Sequence, residues 1–184
     1  MATKHLFASR PGRQQGLTLV EAAIVLAVIA TVAATAAPSL SSFIDGRRLA
    51  AAATRLAADL HLARSEAVSR NRAVRLSLHA GADASCWVLH TGAAAQCTCD
   101  TPGPAVCTGG ALEIKTVVWR RDERVAIDGN VASILFDPLQ GTASPTGTLR
   151  VVDARGRAVQ HVVNVMGRVR SCSPNGAVPG WPAC

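Results

Sequence analysis

Tyrosine is absent from this chain, and aromatic residues of all kinds make up 3% of its 184 residues. Beyond residue 71 the aromatics are Trp87, Trp119, Phe136 and Trp181. That scarcity argues against a platform for single-stranded nucleic acid, which stacks bases on several exposed rings. Catalytic signatures are missing as well: no GxSxG elbow, no HExxH helix and no Walker-type phosphate loop occurs. His61, His79, His90 and His161 are dispersed, with no nucleophile and orienting carboxylate grouped beside any of them. The expectation is a protein that is not an enzyme and uses neither cofactor nor metal. Paired CxxC spacings are also lacking, so a zinc site on Cys97, Cys99 and His90 is the weaker account of those residues.

Acidic residues are few, 12 against 19 basic ones, for a formal charge of +7. Lys4, Arg10 and Arg13 precede a long apolar run; setting them aside leaves 16 bases against 12 acids. An excess of that size favours polyanions without requiring one, since many domains carry it as a solvated surface. The length suits one domain of ordinary size with an appendage.

The six cysteines, Cys86, Cys97, Cys99, Cys107, Cys172 and Cys184, all follow the apolar run. An even count on one side of a membrane indicates an oxidising compartment and disulfides. Fifteen connectivities are possible. Cys172 with Cys184 is the first choice, because that pair closes the tail, a loop whose closure stabilises by about 3 kcal/mol in the chain-entropy account.

From Leu17 to Ala37 the sequence is almost wholly apolar, long enough to span a bilayer as a helix, with Glu21 as its one ionisable residue. A removable secretory signal would place cleavage near Ala36 and Ala37 and leave Glu21 without a purpose. A carboxylate within a membrane helix costs about 2.5–3.5 kcal/mol near its centre, which marks Glu21 as functional. Pro38 follows, where loss of a backbone donor is expected to bend or loosen the helix.

Arg13-Gln14-Gln15-Gly16, then Leu17-Thr18-Leu19-Val20-Glu21 and the apolar helix, resemble the type IV prepilin signal. The resemblance implies cleavage by a prepilin peptidase between Gly16 and Leu17, with Glu21 at the fifth mature position and Pro38 at the twenty-second. Leu17 stands where the family usually has phenylalanine. The implied role of Glu21 is assembly: it compensates the freed amino group of a neighbouring subunit inside an apolar filament core, where an unpaired charge is expensive.

Downstream, Leu49, Ala53, Leu56, Leu60, Ala63 and Ala67 form one stripe at helical spacing, with Arg47, Arg48, Arg55, Arg64 and Arg70 largely off it. After Asn71 the period drops to two: Val74, Leu76 and Leu78 alternate with Arg75, Ser77 and His79, as in a half-buried strand. Further strands are expected over 86–90, 112–119, 131–136, 148–152 and 158–165, and a stapled loop over 91–110. The organisation is therefore a leader over 1–16, a transmembrane helix over 17–38, an amphipathic continuation over 39–71 and a β-rich head over 72–184. The fold class is α+β, with a long N-terminal helix packed on an antiparallel β-sheet head.

The head, through Phe136-Asp137-Pro138-Leu139-Gln140-Gly141-Thr142 and Gly167-Arg168-Val169-Arg170-Ser171-Cys172, resembles the group containing FimT of type IV pili and GspH of type II secretion, and is nearer to FimT. In FimT proteins a C-terminal GRxR motif is associated with DNA binding in natural transformation, and Arg168 and Arg170 match it. Residues two apart in an extended segment project from one face, where both guanidinium groups can meet phosphates. Arg150, Arg155 and Arg157 are further candidates. In one continuous strand the two arginines would share parity with Val162, Asn164 and Met166, so a mixed face or a bulge at Gly167 is required. The resemblance implies an inner-membrane, single-pass protein with a periplasmic head, moving into a pilus on assembly. Its partners would be the prepilin peptidase, other major and minor pilins, and double-stranded DNA held by phosphate contacts. A structural pseudopilin of type II secretion that binds no DNA is the alternative.

Overall fold

The computed structural model describes residues 18–81, 84–99 and 103–184. Its first element is α1, Leu19–Ser69. Thr18 caps it: the Glu21 backbone N–H donates to Thr18 Oγ1 at 3.2 Å, satisfying one of the donors a helix start leaves free. Among the described residues α1 is the one helix long and apolar enough to cross a membrane. Its N-terminal side chains are exposed, Leu19 at 86% and Leu26 at 66%, as residues that take lipid or other apolar helices for neighbours must be. Helix is assigned without interruption through position 38, so Pro38 does not end α1; a proline withholds one donor, and the turns on either side carry the helix past it.

Residues Ser42–Cys184 form a compact unit. Within it the expected stripe of α1, Leu49, Ala53, Leu56, Leu60, Ala63 and Ala67, is fully buried. The helix closes with Asn71 at φ 45°, while Arg72 N–H donates to the Ala67 carbonyl and Asn71 N–H to that of Val68. This is a Schellman ending, in which asparagine tolerates the left-handed conformation better than most residues.

Eleven strands follow among the described residues: β1 Val74–Ala80, β2 Ala84–His90, β3 Cys97–Thr98, β4 Val106–Cys107, β5 Glu113–Arg120, β6 Val125–Gly129, β7 Ser133–Phe136, β8 Ala143–Ser144, β9 Gly147–Asp153, β10 Ala158–Val163 and β11 Val169–Cys172. They build a five-stranded sheet in the order β5-β2-β1-β7-β8, a four-stranded sheet in the order β11-β10-β9-β6, and the ribbon β3-β4. Pairing is antiparallel throughout these sheets. Leu76, Trp87 and Ile134 from the first sheet join Ile127, Leu149, Val151 and Val159 from the second in one core against the α1 stripe. Full burial of each such side chain contributes about 1.5–3 kcal/mol relative to exposure.

The strand expected over 158–165 stops at Val163, because Asn164–Gly167 form a turn. The stapled loop contains the β3-β4 ribbon, tied by Cys97–Cys107 and anchored to β2 by Cys86–Cys99. Cys172 pairs with Cys184, which closes the tail onto β11. Trp87 is buried as expected of a core residue, and Trp181 is half-buried, its ring edge-on to His161 with centroids 6.0 Å apart.

Candidate nucleic-acid interface

The GRxR segment lies on the return of a hairpin. β10 and β11 pair with Val162 opposite Arg170 and Val163 opposite Val169. Between them Gly167 takes φ 69°, its N–H donates to the Asn164 carbonyl at 2.9 Å, and the Asn164 N–H donates to the Arg168 carbonyl at 3.2 Å. This is a three-residue turn closed by a bulge with glycine in the left-handed position. The Asn164 side chain completes it, Oδ1 accepting the Arg168 N–H at 2.9 Å. The parity conflict is thereby resolved: the bulge lets the chain reverse at Gly167, and Val162 and Arg170 face outward side by side.

Val163 is buried and Val169 half-buried on the inner side, while Arg168 and Arg170 are exposed. Two residues of strand separate them, about 7 Å along the backbone. No ion pair or side-chain hydrogen bond joins either guanidinium to another described residue.

The other three candidates differ. Arg157 Nε donates to Asp153 Oδ2 at 2.7 Å and its Nη2 to the Ser42 carbonyl at 3.3 Å. Arg155 lies 3.5 Å from Asp45, a buried carboxylate on α1 that also meets Arg124 at 3.4 Å. Arg150 lies 3.8 Å from Asp128 on the adjacent strand β6. Arg150, Arg155 and Arg157 thus each have a carboxylate within 4 Å, Asp45 being shared between Arg155 and Arg124, whereas Arg168 and Arg170 have none among the described residues.

The Phe136–Thr142 motif closes β7 onto β8. Asp137 Oδ1 accepts the N–H groups of Leu139 and Gln140 at 2.9 and 3.0 Å, and Gly141 N–H donates back to the Asp137 carbonyl. A proline after the aspartate and a glycine at φ 64° suit that tight loop. It abuts the GRxR turn, the Ala143 N–H donating to the Val165 carbonyl at 2.9 Å. Sequence reasoning did not single out Asn164; an asparagine three residues before a glycine was the signal available for it.

The buried histidines are held within the fold. His90 Nε2 lies 2.9 Å from Ser77 Oγ and its Nδ1 3.0 Å from the Thr91 carbonyl, and burial lowers its pKa. Ser77 and His90 are both out of reach of solvent, so a substrate has no access to that pair. Burial pushes the His161 pKa down to about 4. A cleft of about 240 Å³ between Ser85, Trp119, Arg121 and Val152 lies away from the GRxR hairpin and contains none of the candidate residues.

Gly16 and Leu17 lie outside the described residues. Glu21 is exposed in the first turn of α1, where a carboxylate also complements the positive end of the helix dipole.

Residues 52–167 match the family model described as type II transport protein GspH, and residues 11–37 match the prokaryotic N-terminal methylation motif. The latter implies processing by a prepilin peptidase and pilin partners; with the apolar half of α1 it implies membrane anchoring and association with a pilus. No curated protein sequence matches the chain. Among solved structures, the type IV minor pilin FimU of Pseudomonas aeruginosa strain PAO1 is similar at a TM-score of 0.51 and 21% identity, over 76% of this chain and 98% of that one. A second crystal form of the same pilin gives a TM-score of 0.49 and 20% identity, over 72% and 98%. The long helix and antiparallel head are those of a pilin fold. With a family model covering more than half of its length, the chain belongs to the GspH family of minor pilins and pseudopilins.

Proposed function

We propose that this protein is a minor type IV pilin that enters a pilus or its tip and captures extracellular duplex DNA for uptake in natural transformation. The observation carrying this reading is the contrast within the C-terminal arginines: Arg150, Arg155 and Arg157 meet carboxylates, while Arg168 and Arg170 stand exposed and unpaired on one hairpin. Exposed arginines about 7 Å apart along the backbone suit successive phosphates and carry no base-reading geometry, so binding should be indifferent to sequence. The head faces the periplasm in this account, in keeping with its three disulfides.

The test is fluorescence anisotropy of labelled duplexes with the full chain in non-ionic detergent. Duplexes of unrelated sequence should bind alike, and log affinity should fall steeply with log salt. Arg168→Ala with Arg170→Ala should flatten that slope by about 1.8, twice the 0.9 contributed by one phosphate contact. An unchanged slope would remove the motif assignment.

The family model, described for a type II transport protein, favours a second reading: a structural pseudopilin with no affinity for DNA. Absence of wild-type binding even at low salt would select it.

A further inference from the structure

Arg64 of α1 reaches the GRxR turn from the helix side. A Cβ added to Gly167 would sit 3.3 Å from both Cδ and Nε of Arg64, and one added to Gly141 would sit 2.9 Å from Nε. The two glycines also touch each other: the same Cβ on Gly167 would lie 2.4 Å from the Gly141 carbonyl oxygen. Each motif of the head thus contributes a glycine to one seam, and the arginine side chain lies over it.

The chemistry of this placement is not that of an internal ion pair. Arg64 is half-buried, and no carboxylate or hydrogen-bond partner meets its guanidinium among the described residues. Other half-buried cations of the head have partners: Lys115 meets Asp59, Arg157 meets Asp153, and Arg75 donates to the Gly92 carbonyl and Ser133 Oγ. A Cβ on either glycine would meet Nε, and one on Gly141 would also lie 3.5 Å from Nη2, so the guanidinium itself rests against the seam. There it stands beside the turn that continues directly into Arg168. Two glycines without side chains leave the space in which the guanidinium is held.

We propose that Arg64 is a third cation of the anion-binding face, contacting the phosphate backbone of duplex DNA next to the phosphates held by Arg168 and Arg170. This rests on the DNA-capture reading above and extends its surface from the hairpin to the helix. A polyanion with regularly spaced phosphates is a ligand that can neutralise several cations around one hairpin together.

The full chain in non-ionic detergent is titrated into labelled duplex over a series of salt concentrations, and thermal unfolding of each variant is followed in parallel. Arg64→Gln should make the salt slope shallower by about 0.9, and Arg64→Lys, which keeps the charge, should leave it near the wild-type value. A purely positional role is separated by repeating Arg64→Gln in the Arg168→Gln, Arg170→Gln background. Direct contact predicts a further loss of about 0.9 there; action through Arg168 predicts no further change and overturns the inference. An unchanged slope for Arg64→Gln in the wild-type background, with the hairpin double variant still flattened, overturns it too while leaving DNA capture standing. If the wild-type chain binds no duplex, both fall together.

Discussion

The indole N–H of Trp87 donates to Oδ2 of Asp59 at 2.8 Å, a bond between the middle of the sheet and a fully enclosed carboxylate on α1. Lys115 Nζ meets the other oxygen at 2.5 Å. Three elements of the head, α1, β2 and β5, are thereby fixed in register by one side chain that its apolar surroundings would otherwise exclude.

Asp59→Ala should therefore be costly out of proportion to its size. It strands a buried indole N–H and removes the acid that faces Lys115, and about 2 kcal/mol or more of stability should be lost. Thermal unfolding of the oxidised protein measures this. A midpoint within a degree of wild type would show that the carboxylate is dispensable.

Gly167→Ala should disturb the hairpin tip for two reasons at once. The position is left-handed at φ 69°, and the new methyl group would come within 2.4 Å of the Gly141 carbonyl oxygen. Gly156 is also left-handed, at φ 78°, but a Cβ there meets nothing within 4 Å. Gly156→Ala consequently reports the conformational cost alone, of the order of 1 kcal/mol. The Gly167 variant should be less stable than the Gly156 variant and should alone weaken DNA binding; equal behaviour of the two would remove the contact with Gly141 from the account.

Acidification should destabilise the head through His161. Its ring is enclosed between Ser171, whose Oγ lies 2.7 Å from Nδ1, the edge of Trp181 and the Ala53 backbone of α1, with His61 adding repulsion from the helix. Because the native pKa lies near 4 and the unfolded value near 6.5, the unfolded chain binds the extra proton within that window. Stability accordingly rises with pH through the window and is lost as pH falls from 6.5 toward 4, by about 3 kcal/mol for the whole shift. His90 adds a contribution of the same sign. His161→Gln should unfold with a visibly weaker pH dependence between pH 6.5 and 4.5 than wild type; parallel curves would assign the acid sensitivity to other groups.

Processing should leave Leu17 as the first mature residue. Intact-mass measurement on the membrane fraction checks this, and a chain beginning near Ser39 would mean that the apolar segment had been removed. Glu21→Ala should still be processed and should fail to enter filaments. The variant keeps the Thr18 cap, which uses the Glu21 backbone rather than its carboxylate, so helix fraying is not the cause. Normal incorporation would end the charge-pairing role.

Periodic features were the legible ones. The apolar span, the six-residue α1 stripe and the alternation of β1 follow from residue spacing alone, because burial of one face dictates it. β6 escaped notice: Val125 and Ile127 are its two buried residues, between an arginine-rich turn and a glycine, too short a pattern to stand out. The hairpin after Val163 was hidden for a different reason, since Asn164 to Met166 continue the strand-like composition and only the backbone of Gly167 reverses the chain. Least legible were the pairs that join distant parts of the chain, such as Asp45 with Arg155 and Arg64 with Gly167. Composition alone does not separate the C-terminal arginines; their acids do, Asp45 lying more than a hundred residues from Arg155.

The disulfides of the β3-β4 region interleave: Cys97 lies inside the loop closed by Cys86–Cys99, and Cys99 lies inside the loop closed by Cys97–Cys107. An oxidase acting on cysteines in their order of emergence would join Cys86 to Cys97 first. That bond belongs to neither native loop, and it withholds one partner from each of the two correct bridges. Maturation of the head therefore depends either on delaying oxidation until Cys99 and Cys107 are in place, or on thiol exchange that moves the first bond onward. A cell that oxidises without that delay and cannot reshuffle would accumulate a head locked in the wrong pairing, its GRxR hairpin intact in sequence alone.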